Sequence, residues 1–192
     1  MKHLEALLWF MGLALLLVFF ATHAWGERER LRDVSAFSQV RESSQAGVDE
    51  LSAKHEQAGE GEVLAILRIG AIGLELPVRY GTEERVLRRG PGLIEGTAFP
   101  GSLGNVAIAA HRDIHFRGLK DLELGDQIEL EVADRTQSYV VTGLSVVEPT
   151  DIHVLDETGQ AVLTLVTCYP FYFVGNAPER FIVRAEASGV HH

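Results

Sequence analysis

An all-β domain is what this sequence predicts from residue 61 onward, and three observations carry that expectation. Short apolar runs rich in branched residues recur from Val63 to Ala187. Turn signals separate them: Gly90-Pro91-Gly92, Pro100-Gly101, Gly125-Asp126, Pro149-Thr150-Asp151 and Gly159. Almost no stretch between them keeps a helical period. Short strands at this spacing form a closed barrel or a sandwich. A segment of about 130 residues is large enough to hold one core of its own.

The elements follow in order. Residues 1–25 read as a transmembrane anchor, because Leu7 to Ala21 carry no charge. At about 1.5 Å per residue, that stretch with its flanks nearly crosses a hydrocarbon layer of about 30 Å. Thr22-His23-Ala24 is a poor small-residue cleavage site, so an uncleaved anchor is favoured over a signal peptide. Lys2 precedes the anchor while Arg28, Arg30 and Arg32 follow it, and a plain positive-inside count puts the body of the protein in the cytoplasm. Residues 26–60 form a polar stalk or linker. Leu31, Val34, Phe37 and Val40 recur at every third position before Gly47 and Gly59-Glu60-Gly61 break the pattern. We read this stretch as a solvated spacer without chemistry.

The domain at 61–188 contains expected strands at 63–69, 72–80, 105–110, 127–132, 138–147, 161–167 and 180–187. One or two helical turns are expected at 83–89, capped by Thr82 and stopped by Gly90-Pro91-Gly92. Residues 189–192 are a short tail. The net charge of −10 argues against a nucleic-acid partner, because phosphate binding needs a basic face. The chain shows no internal repeat and no low-complexity tract.

Three residues in this domain could carry chemistry. Cys168 is the only cysteine, and it follows the apolar run 161–166 where the chain is due to leave the sheet. Position alone leaves two readings, a small core residue or a nucleophile at a strand mouth. If the domain is exported, compartment favours the second, since a chain with one cysteine cannot form an internal disulfide and leaves its thiol open to oxidation. His111 ends the expected strand 105–110, which fits a structural histidine or a catalytic one. His111 and His115 are four apart, but they leave a strand rather than share a helix face, so no metal site is assigned. Arg180 heads the next strand. If the two strands are antiparallel neighbours, its guanidinium and the thiol share one mouth. The connection between them carries Tyr169, Phe171, Tyr172 and Phe173. It is either a wall for a peptide or a plug for the barrel end.

These residues resemble the motifs of the sortases, the membrane-anchored cysteine transpeptidases. Thr164-Leu165-Val166-Thr167-Cys168 is similar to the family's TLxTC strand end, with Arg180 at the spacing of its arginine and His111 in the place of its histidine. The resemblance covers roughly residues 62–187, together with the anchor and tether. Tyr169-Pro170-Phe171 is closer to class D-like and proteobacterial members, and Ala110 stands where many members have glycine.

The resemblance implies a closed eight-stranded barrel and no cofactor. It also implies a surface-protein substrate whose LPxTG-like sorting signal is cut between threonine and glycine. Cys168 would form a thioacyl enzyme, His111 would act as acid and then base, and Arg180 would hold substrate and oxyanion. An amine acceptor would receive the acyl group. The hydroxyl of Thr167 fits substrate binding or a structural hydrogen bond. By resemblance, and against the charge count, the domain would lie on the outer (periplasmic) side of the cell membrane. Two other readings use the same residues differently: an exported cysteine peptidase, and a tethered β-barrel that binds a partner without chemistry.

Overall fold

The computed structural model describes residues 9–20, 28, 31–32, 34–35, 58–132, 135–173 and 175–191. Eight strands form the domain: β1 (Val63–Ile69), β2 (Leu74–Tyr80), β3 (Gly92–Leu93), β4 (Asn105–Ala109), β5 (Gln127–Glu131), β6 (Thr136–Val147), β7 (Val162–Tyr169) and β8 (Glu179–His191). They close into one barrel in the order β1-β2-β3-β4-β7-β8-β6-β5. Pairing of β1 with β5 shuts the cylinder, so the fold is a barrel and not a sandwich. Closure removes the open edges that a sheet otherwise exposes.

Alternation along each strand decides what fills the interior. Leu67 and Ile69 of β1, Val106 and Ile108 of β4, Ile128 and Leu130 of β5, Leu163 and Leu165 of β7, and Val183 and Ala185 of β8 join one buried cluster. Each large aliphatic side chain fully buried this way contributes about 1.5–3 kcal/mol. The intervening residues of β4, β7 and β8 face outward, and they build the site described below.

The elements depart from the sequence expectation in several places, and among them β8 runs on to His191 through residues read as a tail. Strand β3 has only two residues and hides in the Gly90-Pro91-Gly92 stretch read as a helix stop. The helical turn covers Glu84–Leu87, with Glu83 rather than Thr82 at its cap position and no side-chain capping bond. A 3-10 turn at Gly70–Ile72 takes the start of the strand expected at 72–80. Strand β7 runs on through Tyr169, so Cys168 sits inside the strand and not beyond it.

Gly92 marks the tightest backbone approach in the barrel. It pairs with Arg79 of β2 and with Ala109 of β4. A Cβ there would lie 2.1 Å from the Gly81 carbonyl oxygen, which is backbone and cannot swing aside. We expect Gly92→Ala to cost about 1–3 kcal/mol through forced backbone movement, and to lower the midpoint of urea unfolding. Because Gly92 lies against Ala109, the displacement should also reach the end of β4, two residues before His111.

Residues 9–20 are helical and their apolar side chains are exposed. No helix among the described residues is long and apolar enough to cross a membrane. The rest of the expected anchor, and nearly all of the expected stalk, lies outside the described residues.

Candidate active site

The outward row of β7 is Thr164, Val166 and Cys168, because Leu163 and Leu165 point into the core. The outward row of β8 is Arg180, Ile182 and Arg184 by the same alternation, with Val183 and Ala185 inside. In the antiparallel register Cys168 is the direct partner of Arg180. Directly opposed residues bring their side chains onto one face with Cα atoms about 4.5–5.5 Å apart.

His111 arrives from the other side. Strand β4 runs parallel to β7, with Ala109 beside Val166. The pairing continues one residue further, as the Ala110 amide donates to the Val166 carbonyl at 3.2 Å. The Thr167 hydroxyl donates to the Ala110 carbonyl at 2.8 Å. Arg112 then donates from Nη1 to the Pro170 carbonyl at 2.8 Å. His111 is bracketed between these ties, and continuing the β4–β7 register sets it level with Cys168. His111 lies two residues past β4, Cys168 one residue from the end of β7 and Arg180 one residue into β8, so all three fall at the same end of three adjacent strands.

The surroundings orient each group. His111 Nε2 lies 3.4 Å from Oε2 of Glu84, on the helical turn between β2 and β3. A hydrogen bond from Arg88, and then the nearby His111, hold the Glu84 carboxyl below the usual glutamate range. Arg180 donates from Nη1 to the carbonyls of Glu179 at 2.9 Å and Ala177 at 3.3 Å. That fixes the guanidinium plane and leaves Nε and Nη2 without a partner among the described residues. Cys168 is half-buried and unpaired.

The aromatic connection after Cys168 divides its labour. Phe171 packs against the core and meets Phe181 edge-on with centroids 5.2 Å apart, so it plugs the barrel end. Tyr172 and Phe173 are exposed beside the site. The Arg117 guanidinium covers Tyr172 at 5.6 Å, and that of Arg112 covers Phe173 at 6.0 Å. One loop thus sends Phe171 against the core and leaves Tyr172 and Phe173 at the surface.

At the other end of the same outer face lies a cleft of about 300 Å³, lined in part by Thr97, Ala98, Leu103, Asn105, Leu155 and Glu157. Asn105 belongs to the same outward row as Ala107 and Ala109, so this row leads from the cleft to His111. Six residues of strand separate the two ends, about 20 Å at about 3.3 Å each. The amide of Asn105 donates to the carbonyls of Val154 at 3.0 Å and Asp156 at 3.2 Å. Its Oδ1 accepts from Thr164 at 2.7 Å. These bonds hold the β6–β7 connection against the barrel as one side of the cleft.

The sequence did not single out Glu84, Asn105 or Arg112. Asn105 and Arg112 act on backbone carbonyls far away in the chain, a role that leaves no spacing pattern. A polar residue opening the apolar run 105–110 was the only available sign of Asn105. Among the described residues no cluster of histidine, cysteine and carboxylate side chains is arranged to hold a metal.

His115 gives a pH test. Its Nε2 lies 3.4 Å from the Arg88 carbonyl, which can only accept, so Nε2 carries the proton. Burial holds this imidazole below the ordinary value of 6.5. The unfolded chain therefore binds the proton more readily. Stability from this group is complete above about pH 6.5 and declines as the pH falls toward the depressed native value. A tenfold loss of proton affinity on folding costs about 1.4 kcal/mol, less for a group that solvent still reaches. Urea unfolding between pH 7 and 5 should show a shallower loss of stability in His115→Gln than in the wild type.

Comparison with known proteins agrees with this geometry. A sequence model of the Sortase domain family matches residues 67–188. Sortase D of Bacillus subtilis (strain 168) is 35% identical over 124 residues, 64% of this chain and 63% of that protein. Sortase A of Bacillus anthracis is 30% identical over 132 residues, 67% of this chain and 61% of that protein. The chain thus spans a little under two thirds of the length of these curated relatives. Among solved structures, a Clostridium perfringens Sortase D5 transpeptidase superposes with a TM-score of 0.68 at 28% identity, covering 79% of this chain and 95% of that one. C. perfringens sortase C, solved with its C-terminal cell wall sorting motif, gives a TM-score of 0.70 at 26% identity, covering 81% and 99%. With the family match spanning most of the barrel, and its three strand ends meeting at one rim, this chain belongs to the sortase family.

Proposed function

We propose that this chain is a membrane-tethered transpeptidase that cleaves an LPxTG-like sorting signal between threonine and glycine. The observation that carries this reading is the direct pairing of Cys168 with Arg180, with His111 tied in alongside. The substrate peptide lies extended along the outer face from the cleft near Asn105 toward Cys168. The sulfur attacks the threonine carbonyl, and the C–N bond to glycine breaks as His111 protonates the departing amine. The acyl group is then a thioester on Cys168. An acceptor amine attacks it, His111 takes the amine proton, and the sulfur leaves. Arg180 offers its unused Nε and Nη2 to the tetrahedral oxygen and the substrate backbone. Thr167 serves the site by holding Ala110 beneath the histidine.

We read the chain as class D-like on Tyr169-Pro170-Phe171, a reading that the B. subtilis relative supports. Its proteobacterial-type assignment rests on that motif alone. We read residues 1–25 as an anchor and, by resemblance to the family and against the charge count, the domain as lying on the outer side of the cell membrane, with the lone thiol as support. A labelled sorting peptide, incubated with and without an amine acceptor, tests the function. A ligated product that grows with acceptor concentration is expected. Hydrolysis indifferent to every acceptor supports an exported peptidase. No turnover, with the thiol labelled only after denaturation, supports a non-catalytic barrel.

A further inference from the structure

We propose that Arg112 is a positioning residue, whose guanidinium fixes the connection after Cys168 at Pro170, Phe173 and Gly175 and thereby the spacing between His111 and Cys168. The proposal rests on the reading of those two residues as the reacting pair. Arg112 is 9% exposed, and its nitrogens donate to three carbonyls of one connection: Pro170, Phe173 and, at 3.5 Å, Gly175. Its guanidinium also lies over the ring of Phe173. It forms no ion pair among the described residues, so carbonyl dipoles alone balance this buried cation.

Its place in the chain gives the contact its consequence. Arg112 follows His111 directly, and Pro170 is two residues past Cys168. The backbone ladder between β4 and β7 ends when Ala110 donates to Val166. Beyond that point the two chain ends are held by side chains, Thr167 on one side of His111 and Arg112 on the other. Without the second tie, His111 can drift apart from the thiol and from the connection that follows it. A displacement of about 1 Å at a reacting pair can cost about 10²-fold in rate. Lysine cannot restore the tie in full, because a single ammonium lacks the planar fork that reaches several carbonyls.

The experiment compares Arg112→Gln and Arg112→Lys with the wild type in the full chain. Peptide cleavage gives kcat and KM, and circular dichroism gives the melting temperature. In Arg112→Gln we expect kcat to fall about 10–100-fold with KM little changed. Arg112→Lys should recover only part of kcat. Wild-type kcat in the glutamine variant would overturn the proposal, and a lowered melting temperature beside it would reduce Arg112 to a structural tie. A loss confined to KM overturns it too. Should the glutamine variant not fold, full kcat in the lysine variant overturns it and a partial loss supports it. Should the wild type itself cleave no sorting peptide, the proposed activity fails first, and the proposal that rests on it falls with it.

Discussion

Cys168→Ala should abolish peptide cleavage and leave the barrel intact. The side chain points outward from β7, away from the interior that Leu163 and Leu165 fill, so its removal opens no core cavity. Pairing with Arg180 uses backbone that alanine keeps. We therefore expect stability within about 0.5 kcal/mol of the wild type, as for most substitutions away from a core. Activity behaves otherwise, since no neighbouring group can take the acyl chain once the sulfur is gone. A loss of roughly 10⁶-fold is the scale seen when a nucleophile is deleted from a peptide-bond hydrolase. Circular dichroism and a cleavage assay on the same preparation check both halves. Wild-type cleavage by this variant would remove the thiol from the mechanism.

Arg180→Ala carries the second largest expected effect. The guanidinium is held by the Glu179 and Ala177 carbonyls through one nitrogen, so the rest of the fork is fixed in space before substrate arrives. Donors placed in advance at a developing oxyanion are worth about 10²–10³ in kcat each. We expect a loss of at least that size, read in steady-state cleavage, with Cys168 still alkylated in the folded protein. Arg180→Lys should recover little, because one ammonium cannot hold the loop carbonyls and reach the substrate together. An alanine variant with wild-type kcat would limit Arg180 to tethering its own loop.

The sequence made much of this legible, for physical reasons that differ between elements. Strands β1, β4, β5 and β7 are long enough for branched, apolar residues and flanking turns to mark them. Strand β3 is not, since two residues bear no period, and its Gly-Pro-Gly setting reads as a stop. Closure depends on β1 meeting β5 across about sixty residues, which no local pattern encodes; barrel and sandwich stayed open until that pairing was seen. Cys168 and Arg180 could be joined in advance because consecutive strands usually pair antiparallel. His111 was harder to place, as it reaches the site only through the parallel pairing of β4 with β7. The aromatic loop resolved into Phe171 inside and Tyr172 outside, a distinction made by packing and not by composition. Glu84, Asn105 and Arg112 stayed hidden because their partners are distant backbone carbonyls or another strand's imidazole.

The most direct test is intact-protein mass spectrometry, followed by peptide mapping, after incubation with a sorting peptide bearing an electrophile in place of the scissile bond. A single adduct of the peptide's mass is expected, mapped to Cys168 and formed more slowly in His111→Ala and Arg180→Ala. Unmodified protein, or an adduct on any other residue, would contradict it.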